Sequence, residues 1–390
     1  MINVTRLMCG IEQPMDHLRY GQGLGAPKSA NERKPVVVWN LTRTCNLRCL
    51  HCYSDSEART YPGELNHVEC RALLKDLAGF GVPAVLLSGG EPLARPDVFE
   101  LAQYARELGL KVTLSTNGTL IDAIKASRIR AAGFTYVGIS LDGIGSVNDY
   151  FRGRVGAFER AVKGIRNCVT VGQKVGLRLT LTPHNVRDLE AIFDFIEQEG
   201  IQRACFYHLV PAGRGRSETA LSHEESRRAV EIIFRRTREF AQAGDPREIL
   251  TVDNHTDGPF LYMTLQKIDP EAARHVYELL AWNGGGANSS GVGIADVDTQ
   301  GNVHPDQFWQ SAVLGNVRER PFSEIWTDKD NELLAGLRDR LPRLKGRCAT
   351  CRFQPLCGGN FRVRALAATG DMWAPDPACY LTDEEIAAVP

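Results

Sequence analysis

At 390 residues with 43% hydrophobic content, the chain has enough apolar mass to bury one large core and a smaller second unit. A formal net charge of -1 excludes a nucleic-acid or membrane-surface role built on bulk electrostatics. No apolar run reaches membrane-span length and the opening residues MINVTRLMCG lack the apolar core of a signal peptide, so a cytoplasmic protein is expected, its eleven cysteines serving as metal ligands and buried thiols.

Residues 1–34 read as an irregular N-terminal arm or lid. The Gly21, Gly23, Gly25 spacing within it follows no strand and opens no helix, so it is no dinucleotide fingerprint. From Pro35 onward a unit repeats: a β-branched apolar run, a turn, then a segment of helical period. Strands are predicted at Val36 to Asn40, Ala84 to Ser88, Lys111 to Thr116, Tyr136 to Leu141, Lys174 to Thr182 and Arg203 to Leu209. Capping-box spacing at Asn66-x-x-Glu69 and Asp97-x-x-Glu100 opens two of the helices between them. Six βα units predict an α/β core with a parallel sheet curled into a partial barrel, helices outside and ligands at the C-terminal strand ends.

The polar clusters fall at those strand ends. Cys45, Cys49 and Cys52, in C-x3-C-x2-C spacing, follow the first strand. Three thiolates in one loop can hold a metal cluster, whereas zinc would need a fourth ligand that only His51 supplies, at a strained position. Ser88-Gly89-Gly90-Glu91-Pro92 ends the second strand, Ser115-Thr116-Asn117-Gly118 the third and Ser140-Leu141-Asp142-Gly143 the fourth. Each alone is also a good turn sequence. Ser222-x-x-Glu225 then caps a long amphipathic helix that runs to about Gly244 and closes the core. Residues 245–300, with DNHTDGPF and NGGGANSSG, read as polar loops. Near the end stand Cys348, Cys351, Cys357 and Cys379, a closed set of four that serves zinc and iron-sulfur equally. Cys9, Cys70, Cys168 and Cys205 are left over, the last three as buried thiols.

The cysteine loop with Tyr53 behind it, followed in order by the three polar strand ends, resembles the signature of the radical S-adenosylmethionine (SAM) superfamily. That resemblance implies a partial (β/α)6 barrel over 35–245, with a four-iron cluster on Cys45, Cys49 and Cys52 as the catalytic group. Its open iron would chelate the methionine moiety of SAM, and one electron would release a 5'-deoxyadenosyl radical. Gly89, Gly90 and Glu91 would meet the methionine ammonium, Ser115, Asn117, Ser140 and Asp142 would line the ribose and sulfonium side, and Tyr53 would contact the cofactor. The C-terminal group, over 246–390, resembles the SPASM or twitch auxiliary-cluster extension, which implies a second four-iron cluster on Cys348, Cys351, Cys357 and Cys379. A full SPASM domain carries seven cysteines for two auxiliary clusters. Here Asp306, after Asp298 to Pro305, stands where one of them is expected, so a single auxiliary cluster is implied.

Arg178, His208, Arg214 and Arg216, beside Phe206 and Tyr207, would suit a large, flat ligand with several carboxylates, His208 being able to bind a metal. The plainer alternative makes the arginines of PAGRGR a solvated loop and His208 a core histidine. The runs VVVWNLTRTCNLRCLHCY, VPAVLLSGGEPLARPDVFELAQYA and RCATCRFQPLCGGNFRVRALAATGDMWAPDPACYLTDEEI resemble the NirJ family, the radical SAM proteins of heme d1 biosynthesis. The similarity extends over essentially the whole chain and implies the tetrapyrrole didecarboxysiroheme as substrate, with removal of two propionate side chains leading to the oxo groups of heme d1. It also implies a small electron donor such as flavodoxin or ferredoxin and no nucleic-acid or membrane partner. The alternatives are a heme-synthesis relative performing oxidative decarboxylation of propionates, a peptide-modifying SPASM maturase, and a non-enzymatic carrier. The segment before the first strand is short for a maturase, and Gly89-Gly90-Glu91 argues against a carrier. Which histidine meets the substrate iron, His208, His255 or His304, is left open.

Overall fold

The computed structural model describes residues 1–21, 32–283 and 290–387. Gly23 and Gly25 of the arm, and most of the NGGGANSSG run, lie outside the described residues. Eleven strands form one sheet: β1 (Ile2–Asn3), β2 (Val36–Asn40), β3 (Val85–Ser88), β4 (Val112–Thr116), β5 (Tyr136–Ser140), β6 (Val175–Leu181), β7 (Arg203–His208), β8 (Glu248–Val252), β9 (Ile294–Val297), β10 (Asn302–His304) and β11 (Gly315–Asn316). Their order is β1-β8-β7-β6-β5-β4-β3-β2-β9-β10-β11.

The six expected strands are β2 to β7, and each pairs in parallel with the next in sequence. The sheet continues past them on both sides. β8 adds in parallel to β7, and the expected irregular arm supplies β1, antiparallel to β8. On the other side β9 pairs in parallel with β2, Val36 lying opposite Ile294 and Trp39 opposite Val297. β10 and β11 complete an antiparallel meander beyond it.

Side chains alternate across such a sheet. Val37 and Trp39 of β2 and Val85 and Leu87 of β3 are buried. Val38 and Leu86, on the opposite face, line a cavity that residues of β2 to β9 surround, so the sheet curls around a lumen. Outside, the helix His67–Phe80 buries Cys70, Leu73, Leu74 and Leu77, one stripe at helical spacing, each leucine contributing roughly 1.5–3 kcal/mol.

The expected capping boxes at Asn66 and Ser222 both form. The one at Asp97 does not, because Arg95 and His67 take its carboxylate at 2.7 and 2.9 Å. The reading of 245–300 as loops is also corrected. After β8 come two helices, Asp257–Gln266 and Pro270–Trp282, packed on one another. The first is buried on nearly every side and so shows no amphipathic stripe in sequence. Cys70, Cys168 and Cys205 are buried, as expected.

Candidate active site: a cysteine loop at the mouth of the lumen

The loop after β2 places Cys45, Cys49 and Cys52 on the wall of a cavity at the C-terminal end of the lumen. Tyr53 turns back beneath it. Its hydroxyl donates to Asn40 Oδ1 at 2.8 Å and lies 3.2 Å from Ser88 Oγ, while Asn40 Nδ2 donates to the fully buried Asp296 at 3.0 Å. Burial pushes the Asp296 carboxyl up to about 7. The 3-10 turn Gly213–Ser217 grips the loop from above. There Arg214 Nε donates to the Cys49 carbonyl at 2.8 Å and an Arg214 terminal nitrogen to the Ser56 carbonyl at 2.9 Å. Arg214, expected to contact substrate, is thus spent on the cysteine loop, and Arg216 is exposed, outside the cavity lining.

The strand ends come to the same cavity: Ser88, Gly89 and Gly90, then Ser115, Thr116 and Asn117, then Ser140 and Asp142. The two glycines are required by close approach. A Cβ on Gly89 would stand 2.3 Å from the Thr42 carbonyl oxygen, and one on Gly90 2.5 Å from that of Thr44. The Gly90 and Glu91 amides donate to those same two carbonyls, at 2.6 and 2.9 Å, so this loop is laced to the cysteine loop.

Glu91 departs from its expected role. It is fully buried, does not line the cavity, and its carboxylate accepts from Leu93 N, Thr116 Oγ1 and Asn117 N at 3.0, 2.7 and 2.8 Å. Burial raises its pKa even so. It ties the second strand end to the third rather than facing an ammonium group. Asp142 is equally engaged: Thr180 N donates to it at 2.8 Å, and His51 and Arg152 stand 3.1 and 2.5 Å from its other oxygen. Burial opposes the Asp142 charge, but the Arg152 guanidinium, with the His51 hydrogen bond beside it, holds its carboxyl below the usual range. His51, in pairing with Asp142, is drawn away from the role of fourth metal ligand.

Sequence reasoning missed Arg152. Its guanidinium bridges Asp142 and the Cys49 sulfur, 3.6 Å away, and no local motif marks it. The Leu47 amide also donates to Cys45 Sγ at 3.4 Å. Burial pushes the Cys45 thiol up to about 12 and raises that of Cys49. Two sulfurs that burial keeps from ionising, Cys45 and Cys49, yet that receive N–H donors, fit a polycationic iron core that would offset their charge. Replacing Arg152 with Met is expected to make that cluster's reduction potential more negative, by an amount bounded by the ~1.5–3 kcal/mol of a hydrogen bond to a charged group. An EPR-monitored redox titration checks this.

The C-terminal cysteines surround a small cavity of their own. Cys348, Cys351, Cys357 and Cys379 all line it, and the Phe353 amide donates to Cys351 Sγ at 3.4 Å. Gly358, Gly359 and Asn360 follow Cys357 in the left-handed region, with φ of 60°, 78° and 65°. A Cβ on Gly359 would meet Leu344 at 2.4 Å. Buried Asp376 accepts from Phe361 N and pairs with Arg364, both at 2.9 Å, and so sets the approach to Cys379. Asp306 is no ligand of this group. It is fully buried, receives the Ser290 hydroxyl and accepts from Phe308 N and Trp309 N at 2.8 and 3.1 Å, which fixes a turn.

Among the other expected contacts, Arg178 lines the cavity with its guanidinium 5.0 Å from the centre of the Tyr207 ring. His208 Nε2 is taken by Asp257 at 3.0 Å, and Asp257 in turn accepts from Tyr380 at 2.7 Å. Asp253, missed in the sequence, borders the cavity in the left-handed conformation at φ 65°, and burial pushes its carboxyl up to about 6.

An open three-cysteine loop at the mouth of a curled parallel sheet, with a closed four-cysteine set behind it, defines a cluster enzyme that keeps one metal position free for a cofactor. The sequence model of the radical SAM superfamily matches residues 39–196, and that of the SPASM iron-sulfur cluster-binding domain matches 291–352. The chain belongs to the radical SAM superfamily and carries a SPASM domain, so it is an enzyme that uses SAM and two four-iron clusters. It is 54% identical to the Fe-coproporphyrin III synthase of Methanosarcina barkeri over 99% of each chain. It is 49% identical to the pre-heme d1 synthase of Dinoroseobacter shibae over 90% of this chain and 87% of that one. The crystal structure of Streptococcus suis SuiB bound to S-adenosylmethionine shares the fold, with a TM-score of 0.69 at 19% identity over 90% of this chain and 78% of that one. Among the described residues no helix is long and apolar enough to cross a membrane.

Proposed function

We propose that the protein removes side chains from an iron-containing tetrapyrrole of the siroheme type, didecarboxysiroheme. The observation that carries this reading is near full-length similarity to two proteins named for tetrapyrrole products, at 54% and 49% identity. Cys45, Cys49 and Cys52 would hold the cluster that binds SAM, and Cys348, Cys351, Cys357 and Cys379 the auxiliary one. The first cluster, when bound, supplies the electron that cleaves the sulfonium of SAM to a 5'-deoxyadenosyl radical. Around it the chain's own groups position the reactants: the Gly89 and Gly90 backbone, Ser115, Asn117 and Ser140 face the cofactor side, and Asp142 and Arg152 hold the loop.

Arg178 fits a carboxylate of the tetrapyrrole. It borders both cavities of the lumen, where Asp253 feels its charge. Replacing Arg178 with Gln is expected to weaken tetrapyrrole binding about 10- to 100-fold, the value of one charge-assisted hydrogen bond, as read by an absorbance titration.

Of the possible products, iron coproporphyrin III is favoured by the higher identity and the complete overlap with the Methanosarcina barkeri protein. A second reading, loss of two propionates on the way to heme d1, is supported by the pre-heme d1 synthase. A flavodoxin or ferredoxin would supply the electron. The test is an anaerobic incubation of reconstituted protein with SAM, reductant and didecarboxysiroheme, following 5'-deoxyadenosine and the tetrapyrrole by mass. A product with the mass of iron coproporphyrin III supports the first reading, and a product short of two propionates the second. Deoxyadenosine with an unchanged tetrapyrrole overturns both.

A further inference from the structure

Below the cavity that the cysteines border, a second one of about 410 Å³ fills the lumen. The two share Val38, Leu86, Arg178, Tyr207, Asp253 and Gln307, so they meet at mid-barrel. In closed barrels this space is packed with side chains. Here a cavity remains, and Gly138 and Gly176 make room on its wall for the Tyr136 ring and, at Gly138, the Arg178 side chain, which a Cβ would strike.

The polar atoms on its wall are unusual. Tyr136 Oη, Asp253 Oδ2, His255 Nδ1 and Gln307 Oε1 are buried without a hydrogen-bond partner, and all four residues border this one cavity. None of the four is more than 8% exposed. Arg19, Arg203 and Glu248 of the same wall each have an unpartnered buried atom as well; buried polar groups are normally satisfied, so orphans gathered around one chamber mark where a ligand with polar edges belongs.

His255 is the most specific of them. Its amide donates to Asn360 Oδ1 at 2.7 Å, and its ring meets Phe361 edge-on with centroids 6.2 Å apart. A ring on the cavity wall, pinned through its own amide and packed on Phe361, is held in place as metal-ligating histidines are. The other histidines raised for this role are committed elsewhere. His208 Nε2 is held by Asp257, and His304 lies between the Ala312 carbonyl and Asp298. His51 also has a bare Nδ1, but it sits between two cysteines of the loop and borders only the upper cavity.

We propose that the lower lumen cavity receives the tetrapyrrole ring and that the His255 imidazole is the axial ligand of its iron. This rests on the tetrapyrrole reading above. The His255 amide is bonded to Asn360, three residues after Cys357, so this residue joins the chamber to the auxiliary cysteine loop. The ring face is met by apolar strand residues, and Arg178 stands at the junction with the upper cavity for a carboxylate on the ring edge.

The test is an anaerobic titration of the reconstituted protein with didecarboxysiroheme and with its iron-free form, comparing the wild type with His255→Ala. The readouts are ligand absorbance and EPR of the substrate iron. The wild type is expected to show an imidazole-ligated iron signature that His255→Ala loses and added imidazole restores. The variant should bind the iron form at least tenfold more weakly and the iron-free form as the wild type does. If His255→Ala gives the wild-type iron signature, the assignment of His255 is overturned while the tetrapyrrole reading stands. If the wild type binds neither form, both fall together. Should His255→Ala lose the iron-free form as well, His255→Met decides, because it keeps a side chain of similar reach: a changed ligand field supports the assignment and an unchanged one overturns it.

Discussion

Cys49→Ala is expected to bring 5'-deoxyadenosine formation down to background and to remove one cluster's share of the iron, while leaving the C-terminal cluster's spectrum in place. Cys49 is the thiol on which the loop converges. Its sulfur takes the Arg152 donor, its carbonyl takes Arg214, and Arg152 ties it to Asp142 and His51. Removing the sulfur leaves the Arg152 guanidinium with a donor facing an empty wall and breaks a three-point ligand set that has no fourth protein ligand to compensate. Iron analysis and a deoxyadenosine assay on the same preparation check this. Retained cleavage with full iron would show that the loop does not hold the reactive cluster.

The second large effect is expected at the other end of the chain. Cys357→Ala should leave SAM cleavage measurable but end conversion of the tetrapyrrole. At Cys357 burial first, then the charges of Cys379, Cys348 and Cys351, raise the thiol well above the ordinary value. The left-handed Gly358-Gly359-Asn360 turn follows it, and Asn360 takes the His255 amide, so its loss is expected to disturb the lower cavity wall as well as the cysteine set. Parallel assays of deoxyadenosine and tetrapyrrole mass check this. If conversion persists, the auxiliary cysteines serve the fold alone.

The parallel core was legible in the sequence because its strands are short, continuous apolar runs that end in turn residues, as strands covered on both faces are. The motif glycines were legible as a site, but their neighbour Glu91 was not legible as a strut. A carboxylate in Gly-Gly-Glu-Pro looks available until the Thr116 hydroxyl and the Asn117 amide, 25 and 26 residues away, are found bonded to it. Arg152 and His255 were hidden for the converse reason: each sits in an ordinary stretch and gains its meaning only from partners more than 100 residues distant, Cys49 for one and Asn360 for the other. Arg214 was misread because a Gly-Arg-Gly-Arg run is equally suited to clamp carboxylates of a ligand and carbonyls of its own chain. Helix Asp257–Gln266 escaped because Asp, Gly and Pro in its first turn suit a helix start as well as a loop.

The pairing of β9 with β2 bears on the order in which the protein is made. β2 carries the cysteine loop and is hydrogen-bonded on one side by β3, fewer than fifty residues on, but on the other by a strand more than 250 residues later. Until that late segment has left the ribosome, β2 presents a bare edge of the kind that recruits other chains. Closing so long a loop is slow and leaves the edge exposed meanwhile. A nascent or truncated chain lacking residues beyond about 290 would thus carry every ligand of its first cluster and still aggregate, and iron-sulfur assembly factors would meet a finished loop only after nearly the whole polypeptide had been synthesised.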